Sequence, residues 1–284
     1  MIMKKALACE GLAPVKNLEE LIQLAASNGF DTVDAAPPLV REAVSRIGLE
    51  QLCALVQESG ISIGSFPSSC DWNRSDEIFE SGLQILEQDL KLYAALGCRV
   101  CHNFLMPSCD VSPDEWMNVM AQRVYRTAAL TGQYGVRLAL EYVGPHHMRS
   151  RFAHPFVWNI AGTLELIRRS GADNAGLLLD SLHWYTAQET IQDILSLPRE
   201  MIVHVHINDA PDLPVEDVRD NGRLYPGEGV IDLHGFIQAL DDVEYDGIVA
   251  LEVLKPQPVT GDNQIIAHQA YLQMEPFFTK GRAE

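Results

Sequence analysis

The stretch Gly176-Leu177-Leu178-Leu179-Asp180-Ser181-Leu182-His183 is an apolar run that ends in a carboxylate, with an imidazole three residues further on. Three other stretches of the second half share this design: Val136-Arg137-Leu138-Ala139-Leu140-Glu141, Ile202-Val203-His204-Val205-His206 and Ile248-Val249-Ala250-Leu251-Glu252. Each is short and mostly apolar, as a strand buried on both faces is. Each closes on a side chain able to bind a metal. A charge at the end of a buried strand is costly unless it is paired or ligating. Four repeats of the arrangement predict that Glu141, Asp180, His206 and Glu252 meet at one ion.

Outward from these runs the chain alternates strand and helix signals. Strands are expected over residues 3–10, 30–34, 61–66, 98–104, 136–142, 175–180, 202–208 and 248–253. Helices are expected over 18–28, 40–58, 77–96, 113–134, 163–170, 186–196, 233–241 and 262–278, and long loops over 143–160 and 209–231. Alternation of this kind predicts a parallel sheet. Eight strand–helix units in 284 residues predict a closed (β/α)8 TIM barrel, an α/β fold read as a single domain over 1–284. An open doubly wound sheet is the alternative, but no Gly-x-Gly-x-x-Gly follows the first strand. No Pro/Gly/Ser-rich linker divides the chain. In such a barrel catalytic groups sit at the C-terminal ends of strands, where the four candidate ligands fall.

Charge narrows the function. Asp plus Glu number 39 against 21 Lys plus Arg, a formal net charge of -18. A surface that acidic repels phosphate backbones, so nucleic acid is not an expected partner. No run is long and apolar enough to span a membrane. The start, Met1 to Glu10, resembles a signal peptide, but its apolar part stops too soon; it reads as a first strand, and the protein as cytoplasmic. The six cysteines read as free thiols, and Cys98-Arg99-Val100-Cys101 lies in a strand where residues i and i+3 face opposite sides. Three carboxylates and one imidazole form a hard, oxygen-rich set. That set suits one divalent ion, Mn2+ or Mg2+, with Co2+ or Zn2+ tolerated.

The second half resembles the xylose-isomerase-like TIM-barrel superfamily of sugar isomerases and epimerases, inosose dehydratases and endonuclease IV. The matching pieces are Leu138-Ala139-Leu140-Glu141, Leu179-Asp180-Ser181-Leu182-His183, His204-Val205-His206-Ile207-Asn208-Asp209, Arg223 to Asp232 with its Pro226-Gly227-Glu228-Gly229, and Tyr245-Asp246-Gly247 ahead of Ala250-Leu251-Glu252. The first half matches as architecture only. The pattern is similar to that of ketose 3-epimerases of the D-tagatose 3-epimerase type. That resemblance implies Mn2+ on Glu141, Asp180, His206 and Glu252, and substrate contacts from His183 and Arg223.

The chemistry is coherent with the residues themselves. A cation chelated by a ketone and its neighbouring hydroxyl acidifies the C–H between them. Glu141 and Glu252, from strands across the site, supply a base for each face, and an enediolate lies between the two proton transfers. His183 is placed to polarise an oxygen of the intermediate, Arg223 to hold a hydroxyl or phosphate, and Asp209 to orient His206 or a substrate hydroxyl. His204 reads as a core group or a support behind His206, and His102 and Glu10 as pocket wall. The expected activity is a divalent-metal-dependent isomerase or epimerase of a ketose, ketose phosphate or keto-polyol. The expected partner is that small-molecule sugar or polyol, and self-association into a homo-oligomer is left open.

One departure bears on the substrate. In the ketose epimerases a further Glu follows the strand-five ligand by six residues; here that position is His147, which is read as a substrate contact in the loop that also carries His146, Arg149, Arg151 and His154. The departure keeps a dehydratase of the inosose or 3-dehydroshikimate type as the alternative. An endonuclease is disfavoured, because strand three ends in Phe66-Pro67-Ser68 without a ligand. A metal-free binding protein is disfavoured by four intact ligands.

Overall fold

The computed structural model describes residues 3–278. The first half runs β1 (Lys4–Leu7), α1 (Leu18–Asn28), β2 (Thr32–Val33), α2 (Pro37–Ile47), α3 (Leu49–Ser59), β3 (Ser62–Ile63), β4 (Phe66–Pro67), α4 (Asp76–Ala95), β5 (Val100–Leu105), β6 (Ser108–Cys109) and α5 (Pro113–Gln133). The second half runs β7 (Arg137–Tyr142), α6 (His146–Arg149), β8 (His154–Pro155), α7 (Ile160–Ser170), β9 (Ala175–Asp180), α8 (Ser181–Thr186), α9 (Ile191–Leu195), β10 (Ile202–Ile207), α10 (Leu233–Asp242), β11 (Ile248–Leu251) and α11 (Asn263–Met274).

Among the described residues the main sheet has the order β3-β2-β1-β11-β10-β9-β7-β5-β4, with every pairing parallel. Its two outer members, β3 and β4, are successive pieces of one stretch of chain, separated by Gly64 and Ser65. That stretch closes the ring. Gly64 N donates to Val33 O at 2.7 Å and Ala35 N donates to Ser65 O at 3.2 Å on one side, while Ser68 N donates to His102 O at 2.7 Å on the other. Glycine is required at 64, since a Cβ there would stand 2.6 Å from Asp34 Oδ1. The fold is the expected TIM barrel.

Helices cover the outside, and most of the apolar core lies between them and the ring. The helices begin and end by local chemistry. Asn17 caps α1 by accepting from Glu20 N, and Gly29 ends it in the left-handed region. Inside the barrel, Ala139, Leu178 and Val203 form a small separate apolar plug. Side chains two residues further along the same faces, Glu141 above Ala139 and Asp180 above Leu178, reach the C-terminal mouth.

Four stretches differ from expectation. The helix expected over 40–58 is two helices, because Gly48 has φ +83 and ψ 155 and breaks the run; Pro37 begins α2, at a position where its missing N–H costs nothing. The helix expected at 186–196 starts earlier as α8, because the Asp180 side chain accepts from Leu182 N and His183 N and caps it on the spot. The loop 143–160 contains α6 and β8, and β8 pairs antiparallel with β6. Strand eight ends at Leu251, yet Glu252 N still donates to Ile207 O at 3.3 Å, which fixes Glu252 at the rim.

Candidate metal centre at the barrel mouth

Strands β7, β9 and β10 and the end of β11 bring Glu141, Asp180, His206 and Glu252 together, with one ligand atom of each within 4.8 Å of all the others. His206 Nδ1 is the hub. It lies 3.1 Å from Glu252 Oε2, 3.3 Å from Glu141 Oε1 and 3.9 Å from Asp180 Oδ2. Burial opposes protonation of this ring, but the Glu252 and Glu141 carboxylates outweigh it and push the His206 pKa well above its ordinary value. Glu252 shows the reverse balance: burial favours its neutral form, while His206 and Arg223 hold it well below the usual carboxylate range.

Asp180 is held on both carboxylate oxygens. Asp180 is fully buried; its Oδ1 accepts from Leu182 N (2.8 Å) and His183 N (3.1 Å), and its Oδ2 from Arg223 Nη1 (2.8 Å) and Asn208 Nδ2 (2.9 Å). Glu141 Oε1 and His206 Nδ1 are buried without a hydrogen-bond partner. Buried polar atoms are ordinarily satisfied. Two that are orphaned and aimed at each other among three carboxylates fit a divalent cation held by oxygen and nitrogen.

His183 and Arg223 stand beside the cluster, as their sequence positions predict. His183 Nε2 is 3.8 Å from Glu141 Oε1 and 3.4 Å from Arg223 Nη2, and its Nδ1 has no partner. The Arg223 guanidinium is buried and donates to Asp180, to Glu252 Oε2 at 2.6 Å and to Asp220 Oδ1 at 2.8 Å. Asp220 is a site residue that strand-end reasoning does not find; the available signal was its i, i+3 spacing to Arg223.

Two expected substrate contacts have different surroundings. Asp209 is buried and accepts four backbone N–H bonds, from Ala210 and Ile231 on Oδ1 and from Gly227 and Gly229 on Oδ2. Both oxygens thereby bind the backbone of residues 210 and 227–231. His147, on α6, faces the Val218–Asp220 segment, and burial lowers its pKa ahead of the Arg219 charge. It joins the two long loops and is outside the four-ligand cluster.

Behind His206 lies a second buried group. His204 Nε2 is 2.7 Å from Asp34 Oδ2, and His206 Nε2 is 4.0 Å from the same oxygen. Asp34, His204 and His206 have metal-ligand chemistry too. A separation of 2.7 Å is a hydrogen bond, shorter than the roughly 2.9 Å between neighbouring ligands of an octahedral ion with bonds of about 2.0–2.1 Å. This group therefore backs the site. Asp34 was missed, although it too closes a strand run. His102 completes the interior, with its ring 5.7 Å from that of His206; burial first, then His206 and His204, lower its pKa to about 3. Glu10 lies in the mouth, reached by solvent yet ringed by protein, and burial followed by the Glu252 charge pushes its pKa up to about 7.

Fold and site together define a closed parallel α/β barrel with a cluster of three carboxylates and one imidazole, able to hold a metal ion, at its C-terminal mouth. The chain belongs to the xylose isomerase-like TIM barrel family, whose model matches residues 22–273. A xylose isomerase domain protein from Alicyclobacillus acidocaldarius has the same fold, with a TM-score of 0.89 at 34% identity over 97% of this chain and 98% of that one. The inosose isomerase of Bacillus velezensis is 30% identical over 85% of each chain. The match to the inosose isomerase of Bacillus licheniformis, 30% identical, spans 44% of this chain and 42% of that relative. A 3-dehydroshikimate dehydratase of Pseudomonas putida is 27% identical over 88% of this chain but 38% of its own length. Among the described residues no helix is long and apolar enough to cross a membrane.

Proposed function

We propose that the protein is a divalent-metal-dependent isomerase or epimerase of a keto-sugar or keto-polyol. The observation that carries this reading is the pair Glu141 and Glu252, whose carboxylates approach the same nitrogen, His206 Nδ1, at 3.3 and 3.1 Å from different strands. Glu141, Asp180, His206 and Glu252 would hold the ion, an oxygen-rich set that suits Mn2+ or Mg2+, with Mn2+ put first by the resemblance to the ketose 3-epimerases. Bound there, the ion would polarise a substrate carbonyl and acidify the adjacent C–H.

The chain's own groups do the rest. Either Glu141 or Glu252 takes the proton from the carbon next to the carbonyl, and the electron pair moves onto the carbonyl oxygen to give an enediolate. Return of a proton by the other carboxylate on the opposite face inverts the carbon; return to the neighbouring carbon after proton shift between oxygens isomerises it. His183, with Nδ1 unpartnered and Nε2 near Glu141, is placed to donate to the developing oxyanion. Arg223 holds Glu252 ionised and offers further donors to substrate hydroxyls. The likeness to inosose isomerase over most of both chains supports a cyclic keto-polyol within this class.

The second reading is a dehydratase, which shares enolisation and then expels a β-hydroxyl. His147 at the position where ketose epimerases carry a glutamate favours it, as does the likeness to the dehydroshikimate enzyme. A screen of keto-sugars and keto-polyols with Mn2+ in deuterated water, followed by NMR, tests both. Exchange at one carbon without ultraviolet change marks the epimerase or isomerase. A growing enone absorbance marks the lyase. No exchange in any ketone refutes enolisation. Glu141→Gln and Glu252→Gln should each abolish the exchange.

A further inference from the structure

A cavity of about 740 Å3 opens at the same barrel mouth as the four-residue cluster. It is built from the loops that follow β4, β5 and β7, at the same C-terminal mouth. Phe104 stands at the junction. It pairs in register with Glu141 and shares the inner face of β5 with His102, whose ring is 5.7 Å from that of His206. Phe152, in the loop after β7, lines the same crevice from a segment that the reaction chemistry leaves without a role. Phe104 and Phe152 are 43% and 37% exposed, and they are the two phenylalanines among the exposed large apolar side chains. Both line this one space, as do Trp116 and Met106.

We propose that this crevice receives a second, neutral ring carried by the substrate, so that the enzyme acts on a keto-sugar or keto-polyol bearing an aryl or glycosyl substituent. Size supports this first. A cavity of roughly 300–1,000 Å3 holds a drug-sized ligand, whereas one six-carbon ring bound at the ion would leave the crevice filled with water against two exposed phenyl groups. Charge supports it next. The basic groups at the crevice are offset by acids: Arg74 pairs with Asp71 at 3.5 Å, and Asp110 lines the same wall as Arg151. A balanced rim selects a neutral appendage over a phosphate. The position is the third support, because a substituent on the sugar ring at the ion need only pass Phe104 to enter.

This inference rests on the proposed keto-sugar chemistry for its placement, and its test is a binding measurement that does not need turnover. Phenyl β-D-glucopyranoside and methyl β-D-glucopyranoside are titrated by calorimetry into the Mn2+-loaded protein and into Phe104→Ala/Phe152→Ala. Burying a phenyl ring predicts at least about tenfold tighter binding of the phenyl compound to the natural protein. In the double variant, the phenyl compound should fall to the affinity of the methyl compound, whose own affinity is unchanged. Both substitutions are at exposed positions, and an unchanged melting temperature certifies the fold. Equal affinities, absent binding of both, or a preference that survives the double variant overturn the inference. So does sedimentation showing a dimer that the double variant dissociates, since a second copy would then fill the crevice. Deuterium exchange in ketones together with equal affinities overturns the crevice alone; a phenyl preference without any exchange overturns the chemistry alone.

Discussion

Arg223 Nη1 lies 2.6 Å from Glu252 Oε2, so a buried guanidinium rests on an oxygen of the cluster proposed to hold the ion. The same side chain reaches Asp180 and Asp220. Removing it leaves buried carboxylates unpaired, which costs about 3–5 kcal/mol where one partner of a buried pair is lost. Arg223→Met should therefore lower the melting temperature of the EDTA-treated protein strongly. Mn2+ should recover more of that loss than it adds to the natural protein, because the ion then supplies the only cation. An equal Mn2+ shift in both proteins would refute the shared-charge account.

The Asp34–His204 hydrogen bond of 2.7 Å sits behind His206, whose Nε2 is 4.0 Å from Asp34 while its Nδ1 faces the three carboxylates. At 4.0 Å the Asp34 carboxylate acts on the His206 ring through its charge and through His204, not through a hydrogen bond of its own. Asp34→Asn should therefore weaken Mn2+ affinity by less than the roughly tenfold lost with a directly bonded carboxylate, in an electron paramagnetic resonance titration, with turnover largely regained at saturating Mn2+. Unaltered affinity would remove Asp34 from the site.

Glu189 gives the fold a pH-dependent joint. It accepts from Tyr142 O–H and from Ile160 N, the first residue of α7. Burial pushes its pKa up to about 7, against 4.5 for an ordinary glutamate. A carboxyl whose folded pKa is raised contributes most below its unfolded value, and that contribution is lost as pH rises through the folded one. Stability should fall between about pH 4.5 and 7 for this reason, by on the order of 1 kcal/mol after allowance for partial exposure. In Glu189→Gln that part of the slope should vanish, so the variant gains on the natural protein from pH 5 to pH 8 in thermal unfolding. Parallel curves would contradict the assignment.

Asp209 tests the loop rather than the chemistry. Its four backbone hydrogen bonds hold residues 210 and 227–231. Gly229 is packed so closely that a Cβ would meet Ala210 O at 2.1 Å. Asp209→Ala should deprotect the amides of Gly227, Gly229 and Ile231 in hydrogen exchange while strands β7 and β9 keep their protection. Retained protection of those three amides would show that the loop is held by other means.

The ring and the four clustered side chains were legible because both follow a local rule: a buried strand run, then a polar end. Asp34 obeys the same rule but was hidden, since β2 is only two residues long and its run looked ordinary. The α8 start was hidden because Asp180 has two tasks, capping with one oxygen and facing Arg223 with the other. His147 could not be placed at all by spacing. Its neighbours at 218–220 are some seventy residues away in the chain and meet it only because two long loops pack together. The crevice at Phe104 depends likewise on three separate loops.

The central claim is that the four strand ends assemble one divalent-ion site, and Glu141 tests it most directly. Its Oε1 is buried without a partner, so Glu141→Gln removes a charge from the site without breaking a hydrogen bond at that oxygen. EDTA-stripped natural protein and Glu141→Gln are dialysed to equilibrium against Mn2+, and the bound metal is measured by mass spectrometry alongside the apo melting temperature. The account predicts one ion per natural chain, far less in Glu141→Gln at the same free Mn2+, and an apo variant that melts no lower than the natural protein. A natural chain that takes up no divalent ion, or a variant that binds Mn2+ equally well, would contradict it.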